Sequence, residues 1–341
     1  MGRIQLSYSS PHNDLYAVTK SVGIASRVWV RNGVGTAVVY VPHNHPDLVR
    51  LVAWGNIIQL TEDGVAPWIG VVVSRAYDGL GFTLNLKSAE WFLSGKITGQ
   101  GRIYGAASAI SAGAVAADLF MNAAVANADL RVVQPGVFNA ASSVFREYNY
   151  ADLLDAWTKL ANDVGGDFWV DSTLYAHFVQ SRGSDKRGSV VLREGYNLAE
   201  VKIIESIEEV VTAVIGLGDG ATVVEKPKLL MRHPSNSFFR AKAIDVSGAT
   251  TPDALDATVR QALINGAEPL LTIDASVIMR SGSFGNFWIG DIITLIVRHP
   301  LLNVIDVRVL GVEISAQSVM RAIFQVIPNV LGTDIQPWSI I

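Results

Sequence analysis

The sequence predicts an α+β fold in which β-barrel-like, antiparallel β domains flank a mixed α/β middle domain. Short alternating or β-branched segments fill the first hundred residues, two helical patterns follow, and four long apolar segments precede the C-terminus. Short strands at close spacing are typical of a small barrel or sandwich. We expect a β-rich domain at 1–98, an α/β domain at 99–200, a β-rich domain with one helical insertion at 201–330, and a tail at 331–341.

The first β-rich segment consists of hairpin signals. Residues 27–31 alternate apolar and polar side chains, Asn32-Gly33 is a turn dipeptide, and residues 36–41 are β-branched, which together predict a hairpin. A proline-flanked loop follows at 42–46. One helical turn and three more strands are then expected at 47–51, 57–61, 68–75 and 82–86. The first 25 residues match no pattern that we can place.

The middle segment changes to helical patterns near residue 99. Residues 104–127 are Ala-rich with helical spacing, and a second helix opens at 149–152 and stops at Gly165-Gly166. Its apolar stripe is Leu153, Leu154, Trp157, Leu160, Ala161 and Val164. Strands are predicted at 168–170, 174–179 and 189–193. We interpret the polar loop 181–188 as an exposed hairpin tip.

The last segment combines strands with one capped helix. Strands are predicted at 210–215 and 221–225, and a helix begins at Thr251-Pro252 and ends at Gly266. Four long strands at 269–279, 287–297, 305–315 and 319–327 suggest an antiparallel meander in chain order. The sequence displays no clear internal repeat.

The composition is too apolar for a chain that covers its own surface. Of its 341 residues, 50% are hydrophobic and 17% are charged, against about 25% charged in an ordinary domain. A membrane span is one explanation, but polar residues interrupt 106–126, and 289–297 is too short. The N-terminus lacks the apolar stretch of a signal peptide. We therefore expect no membrane insertion, and surface that is hidden against partners.

Several classes of chemistry are excluded or disfavoured by composition. The absence of cysteine excludes thiolate metal sites, disulfides and cysteine nucleophiles. The net charge of −4 disfavours a dedicated nucleic-acid binder. The glycine-rich segment Gly216-Leu217-Gly218-Asp219-Gly220 resembles a dinucleotide fingerprint, but the residues after it favour a strand where the motif needs a helix. A hairpin turn is the better interpretation.

Histidines and acids suggest sites only weakly. His43, His45 and Asp47 have metal-ligand spacing but lie between prolines, and the remaining histidines are scattered at 12, 177, 233 and 299. Asp167 and Asp171 would lie about 13 Å apart on one strand, beyond the usual separation of a carboxylate pair. Asp152 and Asp155 suit the first turn of a helix.

The remaining candidates have structural explanations. Arg182, Lys186 and Arg187 surround Asp185 in the polar loop, where a solvated tip is expected rather than a phosphate clamp. The tryptophans at 54, 68, 91, 157, 169 and 288 mostly fall on apolar faces, which favours core packing or a subunit interface. We assign no catalytic, cofactor-binding or metal-ligating residue, expect no cofactor, and classify the chain as a non-enzyme.

Four phrases in a fixed order resemble the hub proteins of long-tailed phage tails and baseplates. The resemblance is to the Gp37-like minor tail proteins and, more distantly, to the hubs of contractile tails and type VI spikes. It covers about residues 25–327. The phrases are Gly55-Asn56-Ile57-Ile58-Gln59-Leu60 with Trp68-Ile69-Gly70-Val71-Val72; a helical segment after Arg102-Ile103-Tyr104-Gly105; 149–157 with 165–171; and Phe287-Trp288-Ile289-Gly290-Asp291 with 306–314.

The resemblance implies a structural virion component without catalysis. In such hubs two barrel-like domains per chain form a pseudo-sixfold ring of three chains, which joins the tail tube to the tip and lets the genome pass. The implied partners are two further copies, the distal tail protein, tail-tip or fibre proteins, the tape measure protein and double-stranded DNA in transit. The implied location is the tail tip of a virion, after synthesis in the host cytoplasm. An acidic lumen would let DNA slide.

Two other functions stay open at this point. A tail-associated hydrolase would need titratable residues that converge in a cleft. A receptor- or carbohydrate-binding tail-tip module would need exposed aromatic residues in a groove.

Overall fold

The computed structural model describes residues 5–10, 15–105, 110–126, 132–206, 210–219, 228–232, 240–246, 252–266, 270–278, 286–299, 303–315, 320–327 and 336–338. The α-helices of these residues are α1 Leu48–Leu51, α2 Ala112–Ala126, α3 Leu153–Val164 and α4 Pro252–Gly266. A 3-10 turn spans Ala89–Leu93. The strands are β1 Gln5–Ser9, β2 Leu15–Thr19, β3 Gly23–Val30, β4 Thr36–Pro42, β5 Ile57–Glu62, β6 Val65–Tyr77, β7 Gly81–Ser88, β8 Arg102–Tyr104, β9 Ile110–Ser111, β10 Gln134–Phe138, β11 Ser143–Val144, β12 Arg146–Tyr148, β13 Asp167–Val170, β14 Tyr175–Val179, β15 Val191–Arg193, β16 Leu198–Ser206, β17 Ala213–Leu217, β18 Lys228–Arg232, β19 Ala241–Asp245, β20 Leu270–Val277, β21 Ile292–Ile296, β22 Val304–Ser315, β23 Met320–Val326 and β24 Gln336–Trp338.

One curled, mostly antiparallel sheet dominates the described part of the chain. Its strand order is β16-β20-β23-β22-β3-β4-β7-β6-β5-β1-β2, with β21 beside β22 and β15 beside β21. The antiparallel pairing of β22 with β3 joins C-terminal strands to N-terminal ones. The predicted α+β class with barrel-like antiparallel sheets is confirmed. The N-terminal residues that matched no pattern supply β1 and β2, which extend the sheet beyond β5.

Two groups of four strands in this sheet have the same topology. In chain order the first group is β3, β4, β6 and β7, and the second is β16, β20, β22 and β23. In both groups the order in the sheet is first, second, fourth, third, so the fourth strand lies between the second and the third. The first half of the third strand also pairs with the preceding hairpin strand, β5 in one group and β21 in the other. The chain therefore contains an internal structural repeat, which the sequence did not reveal.

Alternating burial gives this sheet an apolar face and a polar face. In β7, Leu84 and Leu86 are buried while Asn85 and Lys87 are exposed. In β23, Met320, Ala322 and Phe324 are buried while the residues between them are exposed. A period of two is the expected pattern for a sheet that is covered on one side only. The apolar face forms two cores, one under each group of strands.

The middle segment has its own core around Trp157. Helices α2 and α3 pack beside the three-stranded sheet β10-β14-β13. The indole of Trp157 is fully buried and donates through Nε1 to the Ala116 carbonyl at 3.2 Å. Four rings surround it at centroid distances of 5.7–5.9 Å: Phe120, Phe138, Phe168 and Phe178. The predicted stripe of α3 is thus confirmed as a core-facing stripe.

Local signals at the ends of α3 are also confirmed. Asp152 is the N-cap, and its Oδ1 accepts hydrogen bonds from the backbone N–H groups of Leu154 and Asp155 at 3.0 and 3.2 Å. Gly165 closes the helix at φ 65°, in the left-handed region that favours glycine. The acids at 152 and 155 therefore cap the helix and lie in its first turn.

Three boundary predictions were wrong. Helix α2 begins at Ala112, because the residues predicted as its first turns include β8 and β9, which pair with β12 and β11. Strand β21 begins at Ile292 rather than at residue 287, because Phe287–Asp291 is a turn in which Asp291 N–H donates to the Trp288 carbonyl. The four C-terminal strands are antiparallel but are not a simple meander, since β20 pairs with β23.

The prediction of a hairpin at 181–188 was also wrong, although most of this segment is exposed as expected. Strand β14 belongs to the sheet of the middle segment, whereas β15 pairs in parallel with β21 in the large sheet. The loop therefore crosses from one sheet to the other, and Arg182 and Lys186 in it are half-buried. Among the described helices, none is long and apolar enough to cross a membrane.

Candidate functional site

Charged residues meet where the middle segment joins the large sheet, a region that we call the polar junction. Arg31, after β3, donates through Nε to Oδ1 of Asp167, whose side chain is fully buried. The other carboxylate oxygen of Asp167 accepts the Arg182 backbone N–H at 2.6 Å. Asn32 donates to the Gly166 carbonyl at 2.9 Å and accepts from the Phe168 N–H at 2.8 Å. These bonds fix the start of β13 to the β3–β4 turn.

Glu90 forms the second fastening of the junction. Its Oε2 accepts the Ser88 hydroxyl at 2.5 Å, and its Oε1 accepts the Val170 backbone N–H at 3.2 Å. Ser88 Oγ accepts in turn from the Gly35 N–H at 2.7 Å. Burial raises the pKa of Glu90 above its ordinary value, although these hydrogen bonds act in the opposite direction.

Asp291 holds the crossing loop against the C-terminal strands. Its carboxylate accepts the Ser184 N–H at 2.8 Å, the Trp288 N–H at 2.7 Å and Lys186 Nζ at 2.8 Å. The turn packs so closely that a Cβ on Gly290, at φ 89°, would lie 2.3 Å from the Arg182 carbonyl oxygen. A side chain at 290 therefore cannot be accommodated without displacing the backbone.

The three basic residues of the crossing loop have different surroundings, so the predicted solvated tip describes only part of the loop. The guanidinium of Arg182 lies 4.7 Å from the Trp169 ring centroid, and burial lowers its pKa even though neighbouring carboxylates raise it. Lys186 is paired with Asp291. Arg187 is exposed and bridges Asp185 and Asp306. The loop is a structural clamp with an exposed end.

The junction surrounds a cavity of about 220 Å³ lined by Trp29, Glu90, Trp169, Arg182 and Trp288 among others. Two of its lining residues are carboxylates, Glu90 and Asp171, which makes it a candidate for a catalytic cleft. Both carboxylates are however engaged by backbone amides: Glu90 accepts the Val170 N–H, and Asp171 accepts the Thr173 and Tyr175 N–H groups. A general base needs a free lone pair that faces its substrate. The arrangement fits a fastening between domains.

The predicted histidine candidates do not converge on one point. His45 is buried, with Nε2 2.9 Å from the Thr19 hydroxyl and Nδ1 accepting the Asp47 N–H at 3.1 Å. Nδ1 of His43 lies 2.9 Å from the Leu80 carbonyl oxygen. Within the described ranges, no group of three histidine or acidic residues is arranged to hold a metal ion. Residues 12 and 233 lie outside those ranges.

The acids on β13 have separate partners. Asp167 faces Arg31, whereas Asp171, beyond the far end of β13, accepts from Thr173 and lies 3.0 Å from His177 Nε2. Burial opposes ionisation of Asp171, but these hydrogen bonds prevail and lower its pKa. The two carboxylates do not form a pair.

The glycine-rich segment serves packing. Strand β17 is antiparallel to β18, with Leu217 opposite Lys228, so the chain reverses direction after Gly216. The next described element is therefore a strand, in agreement with the hairpin interpretation; the predicted strand 221–225 lies outside the described residues. A Cβ on Gly216 would lie 2.3 Å from Val259 of α4, whose apolar stripe is buried against this sheet.

The tryptophans divide between cores and surface. Trp68 and Trp157 are buried, and Trp29 and Trp288 meet edge to face at 5.0 Å. Trp54 is half exposed beneath the guanidinium of Arg75, 4.4 Å from its ring centroid.

Two strand edges without a neighbour are the features that sequence reasoning missed. Strand β6 pairs with β5 only as far as Val71, so residues 73–77 have β7 on one side and no described strand on the other. Strand β16 pairs with β20 along one side, and residues 199–205 have no described strand on the other. Unpaired backbone groups on such edges are sites of strand addition. The signal that could have identified them is the repeat, which is visible only in strand order.

The fold is similar to that of known phage tail proteins. The prophage tail protein gp18 of Listeria monocytogenes EGD-e matches with a TM-score of 0.66 and 13% identity, over 94% of each chain. A tail protein from Neisseria meningitidis MC58 matches with a TM-score of 0.64 and 15% identity, over 95% of this chain and 96% of the other. The 43 kDa tail protein of prophage MuSo2 from Shewanella oneidensis matches with a TM-score of 0.63 and 13% identity, over 96% and 98%.

These matches define a structural class. No protein-family profile matches the sequence, and no curated protein matches it. The likeness is therefore one of fold, over nearly the whole length of chains whose printed names describe them as tail proteins. The suspected resemblance to phage tail and baseplate proteins is confirmed at that level.

Proposed function

We propose that this chain is a structural component of a phage tail, a hub of which three copies form a pseudo-sixfold ring at the tail tip. The observation that carries the proposal is the internal repeat: two groups of strands with one topology lie side by side in one sheet. The β22–β3 contact joins one edge of the second group to the opposite edge of the first group, which is a head-to-tail arrangement. It therefore leaves one free strand edge on each group. Heterologous contacts of this kind generate closed rings when the rotation closes.

The polar face of the repeated strands suits a passage for DNA. Charges of opposite sign alternate across it, as with Lys202, Asp274, Arg321, Glu313 and Lys87. Arg321 is bonded to Asp274 at 2.8 Å. Unpaired cations would bind phosphates and release counterions; the Arg321–Asp274 pair and the acids near the other cations weaken such binding and let DNA pass. We therefore propose that the lumen wall has balanced charges, instead of the acidic lumen expected from the sequence.

The remaining parts of the function follow from the same proposal. The proposed domain boundaries at 98, 200 and 330 place the middle segment between the two ring-forming segments, although β15 and the start of β16 lie before residue 200 and pair within the large sheet. The polar junction fastens the middle segment to both. The partners of the ring are the distal tail protein, tail-tip or fibre proteins and the tape measure protein. The ring joins the tail tube to the tip in the virion. Exposed apolar residues such as Val49 and Leu80 offer surface for such contacts.

Light scattering on the purified chain tests the proposal. We expect the mass to approach three times 36.7 kDa as concentration rises. Tyr77→Asp, on the free edge of β6, should keep the chain monomeric because it places a charge in the contact. Tyr150→Asp is the matched control, since Tyr150 is equally exposed but lies in the middle segment. A wild-type chain that stays monomeric, or equal effects of both variants, would contradict the ring.

A further inference from the structure

We infer that the two free edges pair between copies in one register, with Arg75 opposite Glu205 and Asp78 opposite Lys202. The inference rests on the ring proposed above and adds which residues meet. The chain contains a template for this contact, because β22 of the second group already pairs with β3 of the first. If β6 of one copy takes the position of β22, and β16 of the next copy takes the position of β3, the same contact is repeated between neighbouring copies.

The bulges align β6 with β22. Each strand has one extra residue against the fourth strand of its group, between Val72 and Ser74 in β6 and between Val309 and Gly311 in β22. Bulges fix the register of a strand. Ser74 therefore corresponds to Gly311, and the four residues after each correspond in order.

Cross-strand partners align β3 with β16. Val28 lies opposite Thr36 of β4, and Ile204 lies opposite Thr272 of β20. Across each group, that threonine is in line with the second residue before the bulge of the third strand, Val71 in β6 and Arg308 in β22. A bulge interrupts β3 and β16 at the same place relative to these residues. Val28 therefore corresponds to Ile204.

The template then gives the register without further choice. In the chain, residues 311–315 of β22 run antiparallel to residues 30–26 of β3, with Glu313 opposite Val28. The equivalent residues are 74–77 of β6 with Asp78, which directly follows it, and 206–202 of β16. The opposed pairs between copies are Ser74 with Ser206, Arg75 with Glu205, Ala76 with Ile204, Tyr77 with Ile203, and Asp78 with Lys202.

Charge supports this register independently, because charge played no part in deriving it. Both charged pairs have opposite signs, and the pairs between them are apolar. A slip of one or two residues in either direction breaks both ion pairs. Within the part of the chain that the structure describes, neither Lys202 nor Glu205 has an ion-pair partner. Opposite charges directly across an antiparallel pair stabilise it, and like charges destabilise it.

Charge reversal tests the ion pairs. Glu205→Arg places two cations opposite each other, and we expect assembly to weaken by roughly tenfold. Adding Arg75→Glu should restore assembly to within about threefold of wild type, because the pair is re-formed with its signs exchanged. Arg75 also donates to the Val52 carbonyl at 2.7 Å, so urea unfolding of each variant checks that the monomer is intact. Failure of the double variant to recover, with an intact monomer, would overturn the Arg75–Glu205 pair.

Engineered cysteines test the register directly, since the chain has none of its own. Within one chain the two sites lie at opposite ends of eight strands, roughly 30 Å apart at ~4.8 Å per strand, so only two copies can be linked. Ala76→Cys with Ile204→Cys places thiols on directly opposed residues, about 4.5–5.5 Å apart at Cβ. The control, Ser74→Cys with Ile204→Cys, is offset by two residues, about 7–8 Å, and keeps both charged pairs.

Oxidation should convert the opposed pair into a covalent trimer much faster than the offset pair. A trimer that cross-links equally well, or better, through the offset pair would overturn the register and leave the ring standing. A linear ladder beyond three chains, or no assembly at all, would instead contradict the ring of the proposed function. The two failures are therefore distinguishable on one denaturing gel.

Discussion

Arg31 and Asp167 form an ion pair that joins the central strands of the large sheet to the middle segment. Their positions are 136 residues apart, and the Asp167 side chain is fully buried. The carboxylate also accepts the Arg182 N–H, so one side chain connects the β3–β4 turn, β13 and the crossing loop. The middle segment is thereby held in a fixed position on the strands that we propose form the ring.

Replacing Asp167 tests this fastening. Asp167→Ala leaves Arg31 without its partner and Arg182 N–H without its acceptor, and we expect a loss of about 3–5 kcal/mol of unfolding free energy. Urea unfolding measures it. Asp256→Ala, which removes the exposed ion pair with Arg260 on α4, is the control and should change stability by about 0.5 kcal/mol or less. Equal effects would show that the junction is not a fastening.

The Gly290 turn gives a second prediction. Gly290→Ala should destabilise the chain by more than Gly79→Ala, because both glycines have φ 89° but only Gly290 faces a backbone atom within contact distance. The control carries the conformational penalty alone, about 1 kcal/mol. Thermal unfolding of the two variants measures the difference. Equal shifts of the midpoint would mean that the crossing loop does not pack against residue 290.

Glu90 predicts a pH dependence. Its pKa is raised in the folded chain by burial, so the folded state holds the proton more tightly than the unfolded state. The stabilisation from this protonation is complete below the unfolded pKa and is lost as the pH rises through the folded pKa. Glu90→Gln, which cannot ionise, should therefore gain stability relative to wild type from pH 4 to pH 8. A difference between the two unfolding free energies that does not change with pH would contradict the burial of an ionisable group.

Trp157 provides a test of the middle core. Trp157→Ala removes the ring that four phenylalanines contact and should cost about 3–5 kcal/mol. Trp54→Ala is the matched control, since Trp54 is half exposed and packs only against the surface, and its effect should be within about 1 kcal/mol. Urea unfolding followed by far-ultraviolet circular dichroism compares them. A small effect at Trp157 would contradict its central position.

Local signals were readable in the sequence wherever a short segment determines its own structure. The helix start at 149–152, the Gly165 stop and the alternation through Leu84 and Leu86 each predicted an element correctly. The fold class followed from these elements. The order of the four sequence phrases along the chain indicated a resemblance to phage hub proteins. The similarity of the whole fold to phage tail proteins confirms that resemblance at the level of the fold.

Long-range pairing could not be read in the same way. Residues 181–188 are polar and were interpreted as a solvated hairpin tip, but Asp291, 107 residues from Ser184, accepts its backbone N–H and holds the loop against the C-terminal strands. The repeat was invisible because a strand requires only alternation and a bulge, which different side chains can supply. Ser74 and Gly311 share a position without sharing a side chain. The candidate assembly edges depend on that repeat and so became visible only in the sheet.

Electron cryo-microscopy of the purified assembly is the most direct test of the ring. The account predicts a particle with threefold symmetry and a central opening. Each chain contributes the eight strands from β16 to β6 to one continuous inner sheet, with β6 of one copy antiparallel to β16 of the next. A closed twofold dimer, or a ring whose contacts involve the middle segment while both strand edges face solvent, would contradict it.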